Sequence, residues 1–363
     1  MKFSLLFITV IFFFAACNNQ TDKELFNGEI RYINDSRVVT KDVIAKHVPL
    51  EGDYAGMIAV HDSLLVCWEP AYENYLLDVF NVDTGKEIGC FCPKGQGPGE
   101  YSHMNPVYQF FEKEGHLMSL FQADSESLLF WDITQSVQAG ETVYDTIVPC
   151  NLGNNLFLFY LTGDTLLNYV SASYSTKDES TTPFYEKRDI YTGQVVAKYP
   201  IYKVKSVQNN QAKKSMGLFF YSWDILKPDG TRIVQAMRNL PQLNIIDTRT
   251  GQVVGYRMKD GPDYSLLQTT MENLTKYYIN VQANDQYIYA VYWGKEPWDG
   301  SPKASLPQFD MIHVFDWEGN LLYKLKADCS FFITWLDTAR NRLYTRDWNT
   351  DEIYYLDLNE LGL

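Results

Sequence analysis

Apolar and polar residues alternate with a period of two along most of the chain, and glycine, aspartate or asparagine repeatedly interrupts the alternation. Such runs predict half-buried strands joined by tight turns. In six segments the run ends in Asp or Asn before a turn: LLDVFNVDTGKEIGCF, SLLFWDITQSVQAG, YEKRDIYTGQVVAKY, QLNIIDTRTGQVVGYRM, MIHVFDWEGNLLYKLK and EIYYLDLNELG. Each predicts strand, tight turn, strand. The landmark residues Asn81, Asp132, Asp189, Asp247, Asp316 and Asp357 recur at intervals of 51, 57, 58, 69 and 41 residues. An Asx side chain at such a place can cap the turn, and Gly85, Gly193, Gly251 or Gly319 then supplies a left-handed residue.

A second hairpin lies upstream of each landmark, with turns near Asp62, Glu114, Gly163, Asp229, Asn284 and Asn341. Two hairpins per unit and six units predict an all-β fold: a six-bladed β-propeller of four-stranded antiparallel blades over residues 28–363. Insertions enlarge the third unit (SASYSTKDESTTPFYEKR) and the fifth (WGKEPWDGSPKASLPQFD). The one helix expected is SLLQTTMENLTKYY, residues 265–278. The last unit stops after its third strand, and GEIRYI (28–33) or VIAKHVPL (43–50) can supply the fourth. An N-terminal strand would then close the ring and leave no exposed edge.

The chain begins MKFSLLFITVIFFFAAC, with one lysine before a short apolar run and small residues before a cysteine. This pattern predicts an export signal over residues 1–16. Phe14-Ala15-Ala16-Cys17 resembles a bacterial lipobox, which implies acylation of Cys17 and a tether over residues 17–27. Plain secretory cleavage with Cys17 unmodified is the alternative. Acyl chains anchor stably because each buried methylene adds about 0.8 kcal/mol. No other stretch reaches the roughly 18 apolar residues of a spanning helix. The expected location is the bacterial cell envelope, on the periplasmic or surface face of the outer membrane, with membrane contact through the lipid alone.

The formal charge of −14 argues against nucleic acid as a partner, because phosphate binding needs clustered cations. Besides Cys17 there are Cys67, Cys90, Cys92, Cys150 and Cys329, an odd number without zinc spacing. Most are expected as small buried hydrophobes. Cys90 and Cys92, on one face of a strand and about 6.6 Å apart, stand at the edge of disulfide reach.

The stretch KGQGPGEY (94–101) has the glycines of a phosphate cradle but no helix after it, since Pro106 follows closely and Pro98 removes a backbone donor. It falls where the outer strand of one blade returns to the inner strand of the next. There it resembles the GxGPGE[FY] linker of NHL-type propellers. Together with the lipobox and six irregular blades, the chain resembles the TolB-like six-bladed propeller lipoproteins of bacteria. That resemblance implies a ring and an envelope lipoprotein, and no particular reaction.

In a propeller, the loops between second and third strands and those between blades surround one mouth of the axial channel. Here they carry Glu69, Tyr72, Arg238, Trp293, Trp298, Asp299, Arg346, Asp347 and Trp348. Tryptophan and arginine are enriched at binding hot spots, so Glu69, Tyr72, Arg238, Trp293, Trp298, Arg346, Asp347 and Trp348 are the candidate ligand- or partner-binding residues. The structural alternative packs Trp293 and Trp348 between blades and pairs Arg346 with Asp347 or Glu352. For catalysis, only His103 falls near that mouth, while His61 and His116 lie on the opposite face, His313 in a third strand and His47 near the N-terminus. No nucleophile elbow or paired acids stand out. No cofactor is expected; calcium held by Asp and Asn is the exception that the residue types leave open. The leading expectation is therefore a non-catalytic binding module for an envelope protein, peptide or glycan. A calcium-dependent, lactonase-like hydrolase or lyase and a structural subunit of an envelope assembly are the alternatives.

Overall fold

A computed structural model describes residues 20–52, 54–124, 126–152, 155–171, 182–203, 219–268, 274–297 and 306–363. Cys17, Trp298 and Asp299 lie outside the described residues. Three N-terminal strands, β1 (Glu29–Ile33), β2 (Thr40–Val43) and β3 (Lys46–Val48), follow a short helix α1 (Gln20–Leu25). The next four, β4–β7 (Met57–His61, Leu64–Trp68, Tyr75–Asn81, Glu87–Pro93), form blade one in sequential antiparallel order. Blade two is β8–β11 (Phe110–Lys113, His116–Ala123, Ser127–Asp132, Tyr144–Pro149), and blade three is β12–β15 (Asn155–Leu161, Thr165–Val170, Phe184–Asp189, Val195–Pro200). Blade four is β16–β19 (Ser222–Leu226, Arg232–Met237, Gln242–Asp247, Val253–Met258) and blade five β20–β23 (Lys276–Ala283, Tyr287–Lys295, Met311–Asp316, Leu321–Ala327). Blade six is β24–β26 (Ile333–Asp337, Arg342–Arg346, Ile353–Asp357), completed by β3 pairing antiparallel to β26. The six-bladed ring closed by an N-terminal strand is thus the observed architecture.

All six landmark residues end a third strand, and all six accept backbone N–H groups from the turn that follows. Asn81 Oδ1 takes the amides of Asp83 and Thr84, Asp189 that of Thr192, Asp247 those of Arg249 and Thr250, and Asp316 those of Glu318 and Asn320. Asp132 and Asp357 instead cap helices, α2 (Ile133–Ala139) and α3 (Leu358–Leu361). The tight turn expected after Asp132 is absent because no glycine follows within reach. The chain turns helically until Gly140, whose φ of 71° ends it, while Ser136 Oγ receives the indole N–H of Trp131 at 2.9 Å.

Two C-terminal turn glycines also set blade spacing. A Cβ on Gly251 would stand 2.2 Å from the Tyr199 ring of blade three, and one on Gly319 2.1 Å from the Tyr256 ring of blade four. Both glycines have positive φ, 73° and 79°. Blades four and five thus each seat the last hairpin on a tyrosine of the blade before. Gly251→Ala and Gly319→Ala should each cost about 2 kcal/mol, the sum of backbone strain and a displaced ring, read as a lowered urea midpoint at unchanged slope. Wild-type midpoints in both variants would refute this contact.

Three expectations need correction. GEIRYI does not close blade six: β1 pairs parallel to β19 as a fifth strand of blade four, because Phe26 and Ile30 pack into the apolar cluster between blades three and four. β2 likewise lies parallel outside β23 of blade five. The N-terminal segment therefore runs around the rim past blades four and five before β3 closes the ring. Of the helix expected over 265–278, residues 269–273 lie outside the described residues, while Tyr264–Gln268 is a 3-10 turn and residues from Lys276 form the inner strand β20. Tyr278, Ile279, Val281 and Ala283 are buried between blades there, which outweighs the helical spacing of the segment. Finally, Cys92 has a φ of 58° and gives its N–H to Thr142 Oγ1, so the pleat breaks and the two cysteines do not share a face. The five described cysteines are free thiols, Cys67 and Cys92 fully buried.

Candidate functional site

The six inner strands stand around the ring axis and enclose a cavity of about 620 Å³. This lies within the range typical of ligand pockets, about 300–1,000 Å³. Every blade contributes: Val60 and His61, Phe110 to Glu112, Tyr160 to Thr162, Ile225 and Leu226, Gln282 and Ala283, and Trp335 and Leu336. The opening lies among the first-hairpin turns, beside Asp229, Gly230 and Thr338. Phe110 makes an edge contact with His61 on one side, at 5.8 Å between centroids, and with Trp335 on the other, at 5.3 Å.

An inner strand has no sheet partner on its axial edge, so its backbone groups need other partners. Two glutamines supply them. Gln109 gives its amide to Tyr160 O at 3.3 Å and accepts from Tyr160 N at 2.9 Å, joining blades two and three. Gln282 does the same for Thr334 O and Leu336 N, joining blades five and six.

The carboxylates at this opening are partly committed to their own turns: Asp229 Oδ1 accepts from Thr231 N and Asp247 Oδ1 from Thr250 N. Among the described residues, no three His, Cys, Asp or Glu side chains converge to hold a metal ion. His313 is buried against Tyr292, 4.3 Å between ring centroids. Burial, helped by the nearby Lys324 charge, pushes its pKa down to about 3 and keeps it neutral.

At the opposite, loop-side mouth, the candidate residues divide by task. Glu69 and Asp347 stabilise their own loops: Glu69 Oε1 accepts from Ala71 N, and Asp347 Oδ1 from Asn349 N and Thr350 N. The second oxygen of Asp347 receives Ser330 N, tying this loop to the linker before β24. Tyr72 takes the Ala55 N–H on its hydroxyl at 3.0 Å, and burial pushes its pKa far up. Arg346 pairs with neither Asp347 nor Glu352. It bonds Gly56 O and Asp351 Oδ1, both at 2.9 Å, because the turn carries Asp351 back over it while Glu352 is taken by His47 and Tyr54. Lys94 of KGQGPGEY gives its ammonium to Pro70 O and Tyr72 O, and Glu100 receives Gly97 N. The glycine loop thus braces the neighbouring loop of blade one.

The aromatic candidates come together. Trp293 packs edge-on against Phe309 at 5.1 Å, and Trp348 against Phe332 at 4.3 Å and Phe309 at 6.2 Å, with 39% of Trp348 exposed. Arg238 lies over the Tyr221 ring, 5.4 Å from its centroid. Beside it stands Lys276, whose Nζ bonds Asn239 Oδ1 at 2.6 Å. Burial and the Arg238 charge lower the Lys276 pKa to about 8. The helical reading of 265–278 concealed this lysine, whereas its place at the start of an alternating aromatic strand would have revealed it.

No family model matches this sequence, and no curated protein matches it. Among solved structures the chain is similar to a member of the DUF4221 family from Bacteroides vulgatus, with a TM-score of 0.55 and 11% identity over 88% of this chain and 97% of that one. It is also similar to a protein described as exported, from Bacteroides fragilis, with a TM-score of 0.44 and 14% identity over 79% and 80% of the two chains. Regucalcin, a calcium-binding protein from Agrobacterium tumefaciens, matches with a TM-score of 0.46 and 10% identity over 88% and 95%. At 11% identity the likeness to the DUF4221 protein is one of fold alone.

Proposed function

We propose that the protein is an envelope lipoprotein whose propeller is a non-catalytic binding module for a protein, peptide or glycan. The observation that carries the reading is the axial channel: a cavity of about 620 Å³ to which all six blades contribute, with Phe110 and Trp335 in its wall. Aromatic rings offer large contact area at low entropic cost, and polar backbone edges beside them can orient a ligand. The exposed Trp348 at the other mouth supports the same reading. Lipid anchoring rests on the lipobox at Cys17.

The test places a photocrosslinking residue at Thr338 by the channel opening, at Trp348 on the loop side, or at Val196 on an outer strand, in the native envelope. One discrete partner captured from position 338 or 348, and not from 196, is expected. Capture from 196 alone, or from no position, overturns the reading. Cys17→Ser should move the protein from the membrane to the soluble fraction; continued membrane retention would remove the lipid anchor.

A further inference from the structure

On the loop-side mouth, between blades four and five, two cations stand together with no acid between them among the described residues. Arg238 directly follows the second strand of blade four, and its N–H bonds Tyr221 O just before that blade's inner strand. Its carbonyl receives Tyr277 N, the residue after Lys276. The backbone itself therefore holds the two side chains at one place. Both are half-buried. The guanidinium Nε is enclosed without an acceptor, and among the described residues the Lys276 ammonium bonds the neutral amide of Asn239. Among the described residues, neither cation forms an ion pair with a carboxylate.

In this chain that arrangement is unusual for a physical reason. Acids outnumber bases, 45 to 31. Several other half-buried cations here have acidic partners: Arg340 bonds Asp62 and Asp83, Lys324 bonds Asp35, and Arg346 bonds Asp351, while Lys94 is held by two backbone carbonyls. Two like charges withdrawn from water repel one another and lose hydration, and only a counter-ion relieves both costs. The lowered pKa of Lys276 is the sign of that unrelieved cost.

We propose that Arg238 and Lys276 form an anion subsite that takes a carboxylate of the bound ligand, the group carried by peptide C-termini and by acidic sugars. A carboxylate accepts the planar fork of Arg238 and one N–H of Lys276 together, and the Tyr221 ring supports the guanidinium from below. Tyr277 borders the subsite. The assignment rests on the binding-module reading, to which it adds the chemistry of the ligand.

The test uses the full mature protein with isotope-labelled lysine side chains and follows the Lys276 signal by NMR. The probes are N-acetylalanine against its amide, glucuronate against glucose, and inorganic phosphate. Either carboxylate should shift the Lys276 signal saturably and raise its pKa towards the ordinary lysine value, whereas the amide and glucose leave it unmoved. The stronger of the two carboxylates identifies the source as a chain end or an acidic sugar. Arg238→Ala should weaken carboxylate binding about tenfold or more, and should by itself raise the Lys276 pKa by removing the neighbouring charge. Arg238→Lys, which keeps the charge without the fork, should retain the low pKa of Lys276 and lose most of the carboxylate affinity. Tighter binding of phosphate than of either carboxylate, no response to any probe, or an equal response in Arg238→Ala overturns the assignment. Failure of envelope crosslinking with an intact carboxylate response would sink the module and leave the subsite standing; the reverse result would sink the subsite alone.

Discussion

Replacing Asp22 with alanine should cost the folded protein about 3–5 kcal/mol, measured by urea denaturation of the mature chain. Arg257, on the outer strand of blade four, is 1% exposed, and its Nη1 bonds both oxygens of Asp22 at 3.0 and 2.8 Å. Its Nε gives a hydrogen to Gln242 Oε1 at 2.7 Å, and Nη2 is enclosed without an acceptor. Water cannot take the place of the lost carboxylate at so enclosed a position, so a buried charge would remain uncompensated. The control is the double variant Asp22→Leu, Arg257→Met, which removes both charges and should recover most of the loss. A cost below about 1 kcal/mol in Asp22→Ala would mean that the guanidinium is solvated and that α1 is not clamped to blade four.

Asp224→Asn should have the opposite effect, raising stability at pH 7.5 by about 2–3 kcal/mol. Asp224 lies on the inner strand of blade four, facing blade three, where it accepts from the Tyr185 hydroxyl and from Gln235 Nε2. Burial raises its pKa from 3.8 to about 6, against the lowering effect of those donors. A carboxyl that holds its proton more tightly when folded stabilises the protein most below the unfolded pKa. Stability is lost as pH rises from about 4 through about 6, because the unfolded chain then binds fewer protons than the native one. Asparagine keeps an acceptor for Tyr185 and Gln235 and carries no charge. The difference between variant and parent should therefore grow between pH 4 and 6 and level off above. Parallel pH profiles would show that Asp224 does not titrate in the folded protein at these pH values.

The six blades were legible because turn chemistry is local. An Asx side chain finds its amides within four residues, so Asn81, Asp189, Asp247 and Asp316 mark strand ends whatever surrounds them. The row formed by Asp224, Gln235, Asn244 and Gln242 was not legible. On an ordinary sheet, polar residues in an alternating strand face water; in a ring, both faces of a blade are covered. Here the hydroxyls of Tyr185, Tyr202 and Tyr264 from neighbouring segments complete the row. The course of β1 and β2 was equally hidden, since a rim strand has the same composition as a closing one.

The candidate site was legible only in part, for a related reason. Glu, Asp and Arg serve loops in two ways, as ligand contacts and as braces for loop backbone, and a sequence does not separate the two. Glu69, Asp347 and Arg346 brace backbone. Trp293 and Trp348 do meet, but around Phe309, which lies 39 residues before Trp348 in the chain. The channel opening beside His61 was hidden because the loops rich in tryptophan and arginine lie at the opposite mouth.

The path of the N-terminal segment has a mechanical consequence. From its outer end the chain meets α1 with its Asp22–Arg257 pair, then β1, then β2, and only then β3, which locks blade six. These attachments act in series. A pull on the outer end is borne first by a buried ion pair and a parallel strand lying along the rim, and β3, only three residues long, is reached last. The seam that closes the ring is therefore sheltered from load applied at the end where a tether would attach.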